Sequence, residues 1–189
     1  MDYESLLENL HHPNAQIRQT TVLILGMVDE VRAIVPMQKR YARESNRNVK
    51  QAIQTVGGQL AKTKREGYET LTALCEYFHV YDEAQRIPAQ PPGNEDLAPL
   101  IDLLTNPLET EIRCRILQKF AESMNPGALA ILADTFWLDE DPQVQAAAKE
   151  QGKILYWNLL YWHLEHDGTL NKLIQEKADE PGIILPDQE

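Results

Sequence analysis

The sequence predicts an all-α protein, a right-handed α-solenoid of about five two-helix repeats interrupted by a proline-rich loop. Three observations carry that prediction: a 32-residue recurrence, apolar residues at helical spacing after each recurrence, and the failure of every strand candidate. The recurrence is a β-branched residue followed by a cation or its substitute. It stands at Ile17-Arg18, Val49-Lys50, Ile112-Arg113 and Val144-Gln145, so that the first two anchors and the last two are each 32 residues apart. The inner pair is separated by 63 residues, close to two periods, which requires one degenerate copy between them. Pro36 and Pro99, each thirteen residues before an anchor, mark the same phase.

Each unit is expected to be two antiparallel helices joined by a short turn. In unit one, Leu6, Leu7 and Leu10 form an apolar stripe that stops at His12-Pro13-Asn14. The run Thr21 to Val28 contains β-branched residues, but it follows a strong helix start and keeps the repeat phase, so it is predicted as a buried second helix. In unit two, Val49, Ala52, Ile53, Val56 and Leu60 recur at i, i+3, i+4, i+7 and i+11, one face of a helix. Leu71, Leu74, Cys75 and Phe78 supply the first helix of the middle unit. Its second helix is replaced by residues 82–95, where Ile87-Pro88-Ala89-Gln90-Pro91-Pro92-Gly93 forbids a regular helix. Unit four pairs Leu97, Leu100, Ile101 and Leu104 with Ile112, Ile116, Phe120 and Met124 across Asn106-Pro107. Unit five places Leu129, Leu132, Ala133 and Phe136 before the turn Asp139-Glu140-Asp141-Pro142. Gly26 and Gly58, each nine residues past an anchor, mark either close helix packing or helix ends. The organisation is then N-terminal repeats over 1–81, the proline-rich loop 82–95, C-terminal repeats over 96–166 and a capping helix with a tail over 167–189, all in one continuous solenoid domain.

The stretch Leu97-Ala98-Pro99-Leu100-Ile101-Asp102-Leu103-Leu104, with Asn106-Pro107 and Ile112-Arg113 after it, resembles a HEAT repeat. The short period and the segment from Ile17-Arg18 to Leu25-Gly26 are most similar to the phycobilisome-lyase type of HEAT-like repeat, within the armadillo-type helical fold. The resemblance covers residues 2 to about 160 outside the proline-rich loop. It implies an interaction scaffold, because HEAT arrays mostly bind other proteins. The alternatives it implies are a bilin lyase or chromophore-protein chaperone, and a nucleic-acid-binding HEAT-like protein. Gln145 in place of the cation, Asn14 and Asn46 in place of the turn aspartate, and the missing helix imply an interrupted aspartate-arginine ladder along the inner surface.

Composition bounds the function. The chain has 189 residues, 43% hydrophobic and 25% charged, enough for one domain or one repeat array. Eighteen Lys and Arg against 29 Asp and Glu give −11, which argues against wholesale wrapping of nucleic acid. Cys75 and Cys114 are too few for a disulfide scaffold or a four-thiolate zinc site, and both fall at apolar helical positions, as buried structural cysteines do. The start Met1-Asp2-Tyr3-Glu4-Ser5 is acidic where a secretory signal is basic, and no apolar run approaches the ~18 residues that cross a membrane. A reducing, cytoplasmic setting without membrane contact is the expectation.

Charge placement supplies the first candidate site. From Arg32 to Arg65 there are nine cations and one acid, Glu44; this segment carries +8 and leaves −19 on the rest of a chain whose total is −11. Lys39, Arg43 and Arg47 step by four along the first helix of unit two, with Arg40 at the edge and Lys50 close behind. These five residues are a candidate site for an anionic partner, either a phosphate-bearing molecule or an acidic protein surface. The competing reading is a solvated face, or internal pairing with Asp29, Glu30, Glu66 and Glu69. Tyr41 is the only aromatic interleaved with the cations, which argues against single-strand recognition.

The helix from Ile154 to Leu164 is the second candidate. It is apolar almost all round and must be covered on every side. One face packs on unit five, and Tyr156, Trp157, Leu160 and Tyr161 then need another cover. That cover is either the tail, with Leu170, Leu173 and Ile174 and then Pro181 to Pro186, or a partner or second copy, which leaves monomer and homodimer both open. His163, Glu165, His166 and Asp167 resemble a metal cluster, yet lie at a helix end with no second ligand cluster in phase, and are taken as a solvated end. No catalytic, metal or cofactor residue is assigned, and no phosphate loop, dinucleotide fingerprint or Gly-x-Ser-x-Gly occurs. The expected function is a noncatalytic adaptor for a protein partner.

Overall fold

A computed structural model describes residues 3–63, 89–106 and 108–178. Every regular element among them is helical: α1 (Tyr3–Asn9), α2 (Ala15–Met27), α3 (Ile34–Arg43, entered through a 3-10 turn at Val31–Ala33), α4 (Arg47–Thr63), α5 (Ala98–Leu104), α6 (Thr110–Glu122), α7 (Ala128–Leu138), α8 (Pro142–His166) and α9 (Thr169–Ala178). The expected first helix of the middle unit, the loop residues 82–88 with Arg86, and the tail 179–189 lie outside the described residues. No described helix is long and apolar enough to cross a membrane.

Three of the four anchored helices start the same way. Asn14, Asn46 and Asp141 each stand three residues before an anchor, in extended or cap position, and each side chain accepts a hydrogen bond from the backbone N–H two residues on, at 2.8, 2.9 and 2.8 Å. Such a cap satisfies one of the orphan donors of the first turn. Asparagine does here what aspartate does at the last copy. The fourth start, Glu109, makes no side-chain cap bond.

The predicted buried second helix, α2, is the centre of the molecule. Val22, Leu25 and Met27 have no exposed surface, and each such side chain stabilises the fold by about 1.5–3 kcal/mol relative to exposure. On one side α2 packs against α4; on the other it packs against α7 and α8. Trp137 of α7 donates its indole N–H to the Leu23 carbonyl at 3.0 Å, across 114 residues of sequence. A chain whose units touch only their neighbours makes no such contact. Helix α2 is therefore clasped directly by α7 and α8, which is not the neighbour-only stacking expected of a continuous solenoid, and the stretches on either side of the proline-rich loop share one core.

Glycine permits this approach at two places. A Cβ on Gly26 would lie 2.8 Å from both methyls of Val56 and 3.0 Å from Trp137; one on Gly152 would meet the Met27 thioether at 2.5 Å. Gly58 faces open space, so of the two glycines in repeat phase only Gly26 is a packing glycine. In the described part of the proline-rich segment, residues 89–97 form no regular element. Gly93 donates its N–H to the Met124 carbonyl at 2.9 Å, and any Cβ there would collide with the Ser123 carbonyl. The loop is pinned to the α6–α7 turn.

Two expectations about the core need correction. Ile112 is 44% exposed, and α6 buries Ile116, Leu117, Phe120 and Ala121 instead, a stripe that begins one turn later than the anchor. Met124 is buried but lies beyond the end of α6 with φ +52. The joint between the two ends is polar. Asp29, with φ +55, accepts from Lys153 at 2.5 Å, Lys149 at 3.0 Å and Gln59 at 3.1 Å. The buried Glu30 accepts from Arg32 Nε at 2.8 Å and from the Tyr156 hydroxyl at 2.8 Å, while the Arg32 guanidinium lies 4.1 Å from the Tyr3 ring centroid.

Candidate interaction surface

The short helix α3 turns Met37 into the core and leaves Val35, Gln38, Lys39, Ala42 and Arg43 exposed. It ends at Arg43, and Glu44 is extended. Arg47 is therefore not a third step along α3, as the four-residue spacing suggests; it is the first residue of α4. Lys39, Arg40 and Arg43 sit toward the C-terminal end of α3, where a helix favours cations, whereas Arg47 sits at the start of a helix that has no acid in its first turn. A cation in that position is unfavourable by about 0.3–1 kcal/mol.

The five candidate cations divide by geometry. Arg40 donates through Nε and Nη2 to Glu44 Oε2 at 2.9 and 2.8 Å, and Lys50 Nζ lies 5.3 Å from the centroid of the Tyr41 ring. These two are occupied within the chain. Lys39, Arg43 and Arg47 are exposed and make no ion pair with any described residue. Of the acids anticipated as partners of the basic segment, Glu30 pairs with Arg32, whereas Asp29 pairs with Lys149 and Lys153 of α8, and Glu66 and Glu69 lie outside the described residues; Arg40 pairs instead with Glu44.

Glu44 is a hub that sequence reasoning treated only as a lone acid. Its side chain is fully buried, and it accepts from Arg18 Nε and Nη2 at 2.8 Å each, from Arg40, and from the backbone N–H of Ser45 and Asn46 at 3.0 and 2.8 Å. The hydrogen bonds from Arg18 outweigh the burial that pushes a carboxyl up, and with help from Asn46 and Arg40 they hold it at about 2. Arg18 spends its remaining Nη1 on the carbonyls of His12 and Pro13 at 2.7 and 2.9 Å. The same arrangement recurs one half of the chain later. Arg113 pairs bidentately with Asp139, again 26 residues on, and Asp139 accepts from the N–H of Asp141 at 2.9 Å. Gln145, which replaces the cation in the last copy, donates to the carbonyl six residues back, Asp139, at 2.6 Å, as Arg18 does to His12. The ladder expected to be interrupted thus keeps two equivalent rungs, with glutamate in one and aspartate in the other. The signal was present as an acid two residues before the caps Asn46 and Asp141.

Beside the exposed cations is a cleft of about 450 Å³ between α1 and α3. Lys39 and Arg43 form one wall. Glu4 and Glu8, with His11, form the other, and Leu7 and Pro36 lie between them. All four charged wall residues are exposed, and none makes an ion pair with a described residue. The acidic wall was missed in the sequence, although Glu4 and Glu8 stand one helical turn apart opposite the buried Leu6 and Leu10.

The second candidate surface is largely internal. Tyr156 and Leu160 are each 4% exposed, packed in the core rather than offered to a partner. Burial and the adjacent Glu30 carboxylate push the Tyr156 phenol well above its ordinary value. Trp157 and Tyr161 stay partly exposed and stack with centroids 6.2 Å apart. Helix α9 packs on α8 with Leu170 buried and Leu173 and Ile174 partly buried, so the cap begins with this helix; the proposed contribution of 179–189 lies outside the described residues. His166 stacks on Trp162 at 4.6 Å, and His163 Nε2 is buried without a hydrogen-bond partner. Among the described residues no group of three or more His, Cys, Asp or Glu is arranged to hold a metal ion. Cys114 is a free thiol pushed up by burial and by Asp141; Cys75 lies outside the described residues. Comparison of the chain with protein-family models, with curated proteins and with solved structures finds no match in any of the three.

Proposed function

We propose that the chain is a noncatalytic helical-repeat adaptor of the HEAT-like kind, acting in the cytoplasm, that binds a protein partner whose acidic side chains pair with Lys39, Arg43 and Arg47. The observation that carries this reading is the contrast between these three neighbouring cations and the internally paired ones. Arg18, Arg32, Arg40, Arg113, Lys149 and Lys153 are all spent on internal carboxylates, in a chain with an excess of acid. Three neighbouring cations without a carboxylate among the described residues are available to one from outside. The repeated caps and the two equivalent arginine-acid pairs support the repeat reading, and the single core shared by both sides of the proline-rich loop supports a rigid scaffold on which the surface is displayed.

The test is affinity capture from a native lysate with the wild-type chain and with the Lys39→Glu/Arg43→Glu/Arg47→Glu protein, followed by mass spectrometry. Proteins held by the wild type and released by moderate salt should be absent from the triple variant, while the melting temperature stays within about 4 °C, since no ion pair with a described residue is lost and the helix-end charge effects of ~0.3–1 kcal/mol oppose one another, unfavourable at the end of α3 and favourable at the start of α4. Identical capture by the two proteins would remove the basis for the reading.

A further inference from the structure

We propose that the cleft between α1 and α3 receives a single amphipathic helix from the partner, acidic along one flank, basic along the other and apolar between them. This rests on the adaptor reading and narrows it. The walls carry opposite charge, Glu4 and Glu8 against Lys39 and Arg43, and the pairs do not close on each other across the cleft. A ligand between them with both signs satisfies both walls; an acidic ligand satisfies one and is repelled by the other.

Each wall repeats at four residues on a helix, a rise of about 6 Å, which matches the i, i+4 spacing that a third helix presents along each flank. Leu7 and Pro36 give that helix an apolar floor. An extended segment would bring unpaired backbone groups to a place where no sheet edge exists among the described residues, whereas a helix satisfies its own. The exposure of all four charged residues also argues against a small molecule, which needs 70–90% or so of its surface enclosed.

The probes are four fluorescein-labelled 18-residue peptides sharing one leucine stripe: a mixed-flank helix with Glu on one side and Lys on the other, an all-Glu-flank helix, an all-Lys-flank helix, and the mixed sequence broken by a central proline. By anisotropy the full chain should bind the mixed helix about tenfold more tightly than either single-sign helix, and more tightly than the proline-broken probe. Glu4→Lys/Glu8→Lys should transfer the preference to the all-Glu helix, and Lys39→Glu/Arg43→Glu to the all-Lys helix. Both variants change exposed side chains only, and circular dichroism checks that they fold. Equal or tighter wild-type binding of the all-Glu helix, undiminished binding of the broken probe, or no binding of any helical probe overturns this inference. None of those results touches the adaptor reading, which fails only if the basic-surface variant captures the same lysate proteins as the wild type.

Discussion

Replacing Glu44 with glutamine keeps the shape of the side chain and removes its charge. The two carboxylate oxygens accept six hydrogen bonds, and every partner is a donor. A glutamine amide must turn an NH2 toward donors on one side, and Arg18, 7% exposed, is left without its counter-charge. Removing one member of a buried pair costs about 3–5 kcal/mol. Arg40 lies nearer the surface and recovers some hydration, which places the expected loss near the lower end, about 3 kcal/mol. For a chain of this size that lowers the melting temperature by about 6–12 °C. Thermal unfolding followed by circular dichroism at pH 7 reads the shift, with Glu111→Gln as control, because the Arg115–Glu111 pair is about three-quarters exposed on both sides and should matter little. The penalty also depends on pH. Since folding lowers the Glu44 carboxyl from 4.5 to about 2, its stabilisation is complete above pH 4.5 and disappears as pH falls toward 2. The gap between wild type and variant should therefore narrow across that interval. A Glu44→Gln protein that melts like Glu111→Gln at pH 7 would refute the hub.

Glycine substitutions should have opposite signs: Gly58→Ala, with open space around it inside α4, should stabilise by about 0.5–1 kcal/mol, and Gly26→Ala, pressed on the stiff Val56 side chain and Trp137, should destabilise by about 1–3 kcal/mol in urea unfolding. Tyr156→Phe leaves Glu30 one donor short and should cost about 1–3 kcal/mol. Because burial and Glu30 hold the Tyr156 phenol well above its ordinary value of 10, ultraviolet titration should find at least one tyrosine that ionises well above the ordinary phenol range in protein that is still folded; its contribution to stability is complete below pH 10 and wanes above it.

The helices and their starts were legible in the sequence because they depend on neighbours in the chain. Asn14, Asn46 and Asp141 sit in phase with the anchors, and the stripe from Val49 to Leu60 is buried as its spacing requires. The clasp of α2 by α7 and α8 was not legible. Periodicity says which face of a helix is apolar, and the α2 residues from Val22 to Met27 are apolar nearly all round; nothing in that pattern names Trp137 as the cover. The division within the cation cluster was not legible for a related reason. Arg40 and Arg43 are alike in sequence, and only the extended backbone at Glu44, which brings its carboxylate to both Arg18 and Arg40, separates an internal cation from an exposed one. Ile112 shows the limit of the anchor itself: the position that opens the stripe at Val49 and Val144 stands at the rim of α6 and is exposed.

The division of the cations into spent and available is tested most directly by one paired measurement on the Lys39→Glu/Arg43→Glu/Arg47→Glu protein and the Arg40→Glu protein: the melting temperature of each, and the capture by each of lysate proteins that the wild type holds at low salt and releases at high salt. The triple variant should melt with the wild type and lose the salt-sensitive binding, whereas Arg40→Glu, which sets a second carboxylate beside buried Glu44, should melt several degrees lower. A triple variant that binds as the wild type does, or an Arg40→Glu protein that melts with it, would contradict the division.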